Sequence, residues 1–155
     1  MPETYVVFVE PDRAAAELIA QKKGYLLYLL TGVEDPAVYN PTLDENNLIL
    51  VGGWYANPYS RYYFYDTGLV TDDPEKEIMV GEGVYAHGKR YIRTIARANG
   101  TDVTAVWGWS ALDTMEAAYD YVGPKVNLAL AIGLPALGVL ITTVGYVWGK
   151  KTGRI

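Results

Sequence analysis

Between Lys125 and Lys150 the chain runs for 24 residues, Val126 to Gly149, without a formal charge. About 20 apolar residues are enough to cross a bilayer, and 24 in helical form reach roughly 36 Å against a hydrocarbon core of about 30 Å. Leu130, Leu134, Leu137 and Leu140 supply the apolar body of such a segment, and Pro135 predicts a kink that a membrane helix tolerates. Tyr146 and Trp148 fall where an interfacial aromatic belt would lie, directly before Lys150, Lys151 and Arg154. The pattern therefore predicts one transmembrane helix over 125–149 and a basic tail over 150–155, with the lipid bilayer as first partner. A helix buried inside a soluble protein is the competing arrangement. It would need cover on every side, and the rest of the chain is short for that task. Gly133, Gly138 and Gly145 offer small residues for helix–helix contact, although the strict Gly-x-x-x-Gly spacing is absent.

Residues 1–124 then form a head of single-domain size, in which nine bases face 18 acids for a net charge of −9. A head of that sign repels phosphate at long range, which argues against nucleic-acid binding. The chain has no cysteine, which excludes disulfides, thiol nucleophiles and thiolate metal sites. One histidine, His87, excludes a multi-histidine metal centre. The orientation signals conflict. Three bases after the span favour a cytoplasmic C-terminus and an extracellular head. Met1 to Glu10, however, has no basic segment before its five-residue apolar run, so it does not read as a secretory signal. Either a signal was removed or lies outside this sequence, or the head crosses by another route, or the protein is tail-anchored with a cytoplasmic head.

Tyr5 to Val9 is a short apolar, β-branched run of the kind buried on both faces, and Glu10-Pro11-Asp12 ends it with a helix-start signal. Ala15, Leu18 and Ile19 follow helical spacing, Lys22 and Lys23 suit a helix C-terminus, and Gly24 is placed to cap it. Tyr25 to Leu30 reads as a strand, 31–47 as a loop, and Leu48 to Val51 as a second buried strand ending in Gly52-Gly53. Asn57-Pro58 starts a helix that runs to about Tyr65. An acidic connection, Asp66 to Glu77, leads to a strand over Glu77–Val80. Arg90 to Arg97 is expected to pair through Asn99-Gly100 with Val103 to Trp107. A third helix begins near Ser110 to Asp113 and breaks at Gly123-Pro124. Strands alternating with helices predict an α/β head, a small mixed-sheet sandwich, followed by the C-terminal transmembrane helix.

Two segments carry a resemblance. Leu50-Val51-Gly52-Gly53-Trp54-Tyr55-Ala56-Asn57-Pro58 resembles a strand-end signature of archaeal surface-layer proteins, with Trp54 where a proline is expected. Val106 to Ala118, with its strand, Gly108, Asp113-Thr114 and paired alanines, is similar to a second segment of that family. The likeness spans about residues 48–148. It implies an outward-facing, non-enzymatic module tethered to an archaeal membrane. The residues have their own account as well. Gly52-Gly53 lets a strand turn sharply, and Asp113 is placed to meet backbone donors in the first turn of its helix.

Motifs for chemistry are weak. Gly52-Gly53 and Gly81-x-Gly83 match no nucleotide-binding loop. His87 lies in a turn-like segment without a nucleophile suggested nearby. Asp72, Asp73, Glu75 and Glu77 lack the spacing of a calcium loop. The expectation is therefore no catalytic residue, no metal, no cofactor and no small-molecule substrate. Lys89, Arg90, Arg93 and Arg97 form the main basic cluster of the head, with Arg93 and Arg97 read onto one strand face. The cluster is either a charged guard of an edge strand or a contact with an acidic neighbour, a second copy included. Tyr59 and Tyr62 represent a tyrosine-rich stretch suited to core packing or to a protein or glycan interface. Asn99-Gly100-Thr101 is a glycosylation sequon at an expected hairpin tip. These readings converge on a membrane-anchored structural or interaction protein of an archaeal cell envelope or virus-like particle, assembling through head contacts. The alternative is a small accessory single-span subunit of a membrane enzyme complex.

Overall fold

The computed structural model describes residues 1–70 and 90–123. The chain divides after Val122, and the architecture that follows belongs to the first unit. The expected transmembrane segment, the strand over Glu77–Val80, the acids between Asp72 and Glu77, His87 and Lys89 all lie outside the described residues. Among the described residues, no helix is long and apolar enough to cross a membrane.

The fold is α/β. Five strands among the described residues, β1 (Thr4–Phe8), β2 (Leu26–Leu29), β3 (Asn47–Val51), β4 (Arg90–Ala96) and β5 (Asp102–Gly108), form one mixed sheet in the order β2-β1-β3-β5-β4. The first three and β5 run parallel, and β4 adds an antiparallel edge. Central strands of a parallel sheet are buried on both faces, which is why β1 and β3 read as unbroken apolar runs. Side chains alternate across the sheet, and the core splits accordingly. Val7, Leu48, Leu50, Ala105 and Trp107 meet Leu43, Tyr59 and Phe64 on one face. Val6, Phe8, Ile49, Val51 and Val106 meet Ala15, Ala16, Ile19, Ala117 and Ala118 on the other. The second set belongs to α1 (Arg13–Lys23) and α4 (Ala111–Val122), whose alanines let the helices sit close to the strands.

Gly24 closes α1 in the left-handed conformation (φ 73°), with its N–H bonded to the carbonyl of Ala20. The segment 31–47, expected as a loop, contains a short helix, α2 (Pro41–Asp44), capped by Asn40. After β3 the chain enters α3 (Pro58–Ser60), which continues as a π-helical turn over Arg61–Tyr65. The Asn40-Pro41 and Asn57-Pro58 starts are built alike. Each asparagine side chain accepts from the backbone N–H groups two and three residues on, at 3.0 and 3.3 Å. Proline at the first helical position has no N–H to leave unsatisfied.

Chain order and strand order together produce a switch point. From β1 the chain passes through α1 to β2 on one side, while β3 lies on the other side of β1 and leads towards β5. Side chains from α1 belong to one core and those from α3 and the π turn to the other. In open α/β sheets such a reversal leaves a crevice outside the carboxyl ends of the diverging strands.

Candidate functional site

A cleft of about 440 Å³ lies at that carboxyl edge, lined by Pro11 and Asp12 after β1, Gly53 to Ala56 after β3, and Trp107 to Ala111 with Thr114 from β5 and the start of α4. Its framework is fixed by Asn57, which is fully buried. Besides capping α3, the Asn57 amide donates to the carbonyls of Val7 at 3.2 Å and Val51 at 3.1 Å, joining the ends of β1 and β3. Ser60 Oγ donates to the carbonyl of Gly52 at 2.7 Å. One asparagine thus satisfies backbone groups from three elements at a place where an unpaired carbonyl would cost about 1–3 kcal/mol.

The lining is aromatic. Trp54 stacks with both Tyr55 and Tyr65 at 4.1 Å, and the guanidinium of Arg61 lies 4.9 Å from the Tyr65 ring centre. Trp54 is 4% exposed, whereas Tyr55 is 82% and Trp109 is 49% exposed. Beyond the rim, Leu112 is exposed on the first turn of α4. That turn is held by Ser110, whose Oγ accepts from the Asp113 N–H and donates to the Asp113 carboxylate, both at 3.2 Å. The sequence pointed to Asp113 as the group meeting backbone donors there. Ser110, in the position just before the helix, makes one such contact.

Asp12 is the unusual member. It is only 8% exposed, and its side chain does not cap α1, although it stands immediately before that helix. A capping residue is normally extended, which aims its oxygen at the free N–H groups. Asp12 instead ends a 3₁₀ turn (Glu10–Asp12) with φ −104° and ψ 16°, and its carboxyl is carried elsewhere. It lies against Gly52, where a Cβ would fall 2.5 Å from Asp12 Oδ2, so only glycine leaves room for the carboxyl. Gly52 also has φ 105°, a conformation that L side chains rarely adopt. Burial pushes the Asp12 carboxyl up to about 6. The neighbouring cation, Arg13, is turned away to Glu10 at 2.6 Å and Glu17 at 3.5 Å.

The expected interaction residues are distributed differently. Tyr59 is 1% exposed and belongs to the core, so it is corrected from a surface contact to a packing residue, and burial raises its hydroxyl to about 12. Tyr62 is exposed and meets the edge of Tyr63. Arg93 and Arg97 do not share a strand face. β4 ends at Ala96, and the Arg97 side chain, 12% exposed, turns inward. It donates to the Leu43 carbonyl at 3.1 Å, Tyr63 Oη at 2.9 Å, Thr101 Oγ1 at 2.9 Å and the Asn46 carbonyl. Arg97 is therefore an internal tether, giving two carbonyls and two hydroxyls a donor at a part-buried site. Arg90 pairs with Asp120 of α4 at 2.6 Å, and Arg93 is exposed on β4. Asn99 is exposed at the β4–β5 turn, where it donates to the Asp44 carbonyl at 2.8 Å and accepts from Thr101.

Among the described residues, no three His, Cys, Asp or Glu side chains group as a metal would require. The described lining of the cleft holds no Lys or Arg to meet a phosphate. In the sequence Asp12 reads only as a helix-start signal, and its place in the cleft is set by strand pairing. The signal that could have found it was the pair of strand ends, Glu10-Pro11-Asp12 and Gly52-Gly53, which a parallel pairing of β1 and β3 brings side by side. In comparisons with known proteins, the chain matches no family model and no curated protein.

Proposed function

We propose that this chain is a membrane-anchored interaction protein whose α/β head engages a protein partner through the aromatic cleft at the carboxyl edge of its sheet. The observation that carries the reading is the exposed rim of Tyr55 and Trp109 over a floor that includes Trp107 and Gly53. Aromatic side chains with an apolar body and a polar tip are enriched where proteins bind one another, and they lose little conformational freedom on binding. The anchoring part rests on the uncharged run from Val126 to Gly149 and on the bases that follow it. The likeness of the 50–58 and 106–118 segments to surface-layer motifs supports a place in an archaeal cell envelope or virus-particle membrane. The mechanism is positional. A rigid sheet edge, fixed by Asn57, holds the rim at a set geometry, so that association needs little reorganisation.

The test places a photo-crosslinking residue at position 55 and, as a control, at Ala98 on the far hairpin, in the full-length chain expressed in membranes. The expected result is a chain that stays with membranes through alkaline extraction and gives a discrete cross-linked species from position 55 alone. Equal cross-linking from both positions, or a full-length chain that is monodisperse in buffer without detergent or lipid, would overturn the reading.

A further inference from the structure

The cleft carries a charge problem that its described residues leave open. Asp12 is more than nine-tenths buried, and no side-chain hydrogen bond reaches its carboxyl among the described residues. A buried carboxylate is stable only when paired or generously hydrogen-bonded, and the nearest cation in sequence, Arg13, is already committed to Glu10 and Glu17. Beside it stands the aromatic row of Tyr55, Trp54 and Tyr65, which already receives one guanidinium, that of Arg61 over Tyr65. Aromatic faces attract cations through their quadrupole, with a stabilisation of about 0.5–2 kcal/mol that grows as water is excluded. The head as a whole is net −9 over residues 1–124, so approaching cations are concentrated and anions repelled.

We propose that the cleft receives the ammonium or guanidinium of a lysine or arginine side chain from a protein partner, with Asp12 as its counter-ion and Tyr55 and Trp109 flanking its apolar stem. The proposal rests on the interaction reading above and gives its partner a chemistry. Charge complementarity selects the occupant: a phosphate or carboxylate would face Asp12 without compensation, and a purely apolar group would leave that carboxyl buried and unpaired. The cleft volume of about 440 Å³ is ample for one long side chain and the backbone that carries it. Pairing a largely buried charge is also the kind of contact on which a small interface concentrates its energy.

The test uses the full-length chain in nanodiscs of zwitterionic lipid, which gives a basic peptide no anionic surface to bind. Three probes are titrated: a capped Gly-Lys-Gly peptide, its norleucine counterpart and n-butylamine, with the tryptophan indole N–H resonances as readout. The lysine peptide is expected to bind at least about tenfold more tightly than either of the others, and Asp12→Asn to remove at least about tenfold of that affinity, a factor worth about 1.4 kcal/mol. The indole spectrum of the unliganded Asp12→Asn variant reports its folding directly. Tyr55→Ala, at a position too exposed to matter for folding, supplies an independent arm and is expected to weaken the lysine peptide about threefold to tenfold. Equal binding of the norleucine peptide, or an Asp12→Asn variant that binds normally, would overturn the counter-ion role. Butylamine binding as tightly as the peptide would overturn the assignment to a protein side chain. If the lysine peptide fails to bind while the cross-link from position 55 forms, the cation chemistry falls and the interaction reading stands.

Discussion

The two edges of the sheet each bury a charge and treat it in opposite ways. At the amino edge, Arg97 is 12% exposed and reaches two carbonyls, a phenol and a hydroxyl, with Asp44 at 4.0 Å. Its neighbours are closed as well: the Glu3 N–H bonds to Asn46, the Asn47 N–H to Glu3, and the Asp102 N–H to Asn47. At the carboxyl edge, Asp12 is 8% exposed and its side chain takes no cap contact with the helix behind it. Both groups sit on loops that follow strands, so connectivity does not explain the difference. An edge whose polar groups answer one another serves as frame. An edge that, among the described residues, leaves a buried carboxyl without a side-chain partner beside exposed aromatics has the geometry on which the proposed contact rests.

Substitution of the two buried charges should therefore act in opposite directions. The largest effect is expected for Arg97→Met, which leaves the Leu43 and Asn46 carbonyls without a donor and should cost about 3–5 kcal/mol in denaturant unfolding. A loss below about 1 kcal/mol would break the comparison at its framing end. Asn57→Ala should follow at about 2–4 kcal/mol, because it removes a helix cap and both amide bonds to Val7 and Val51. Thermal melting checks it.

Asp12 should behave in the reverse sense. Its carboxyl titrates near 6 when folded, against 3.8 for the ordinary group, so between these values the folded chain keeps a proton that the unfolded chain has lost. Stability from this group is thus fully present below about pH 4 and lost as pH rises through about 6, a fall of about 2–3 kcal/mol. Asp12→Asn should flatten that slope and raise stability at pH 7 by about 2 kcal/mol, measured by unfolding at pH 4, 5.5 and 7. The smallest effects sharpen the contrast: Asn40→Ala should cost about 1 kcal/mol as a lost cap, and Tyr55→Ala should lie within about 0.5 kcal/mol of zero.

Much of the frame was legible because it depends on local patterns. The unbroken apolar runs marked β1 and β3 as doubly buried, Gly24 marked the end of α1, and Asn57-Pro58 marked the start of α3. The same Asn-Pro signal at Asn40-Pro41 went unread inside a long polar stretch, although its capping geometry matches. Counting in twos puts Arg97 on the face of Arg93, but β4 ends at Ala96, and Gly100 and the N–H of Arg97 already belong to the turn. Tyr59 and Tyr62 could not be told apart without the helix phase, which buries one and exposes the other. Asp12 was hardest, because its significance depends on a parallel pairing between segments some 40 residues apart that brings it against Gly52. Periodicity reports which way a side chain faces, and topology decides what it finds there.

The most direct test follows the carboxyl ¹³C resonance of Asp12 with pH in the full-length chain, assigned by its loss in Asp12→Asn, with and without the capped Gly-Lys-Gly peptide. The expected midpoint is about 6 without peptide and well below that with it, since a bound ammonium favours the ionised carboxyl. A midpoint near 3.8 in the unliganded chain, or one that saturating peptide leaves unmoved, would contradict the claim that the carboxyl edge holds an open buried charge for a cationic partner.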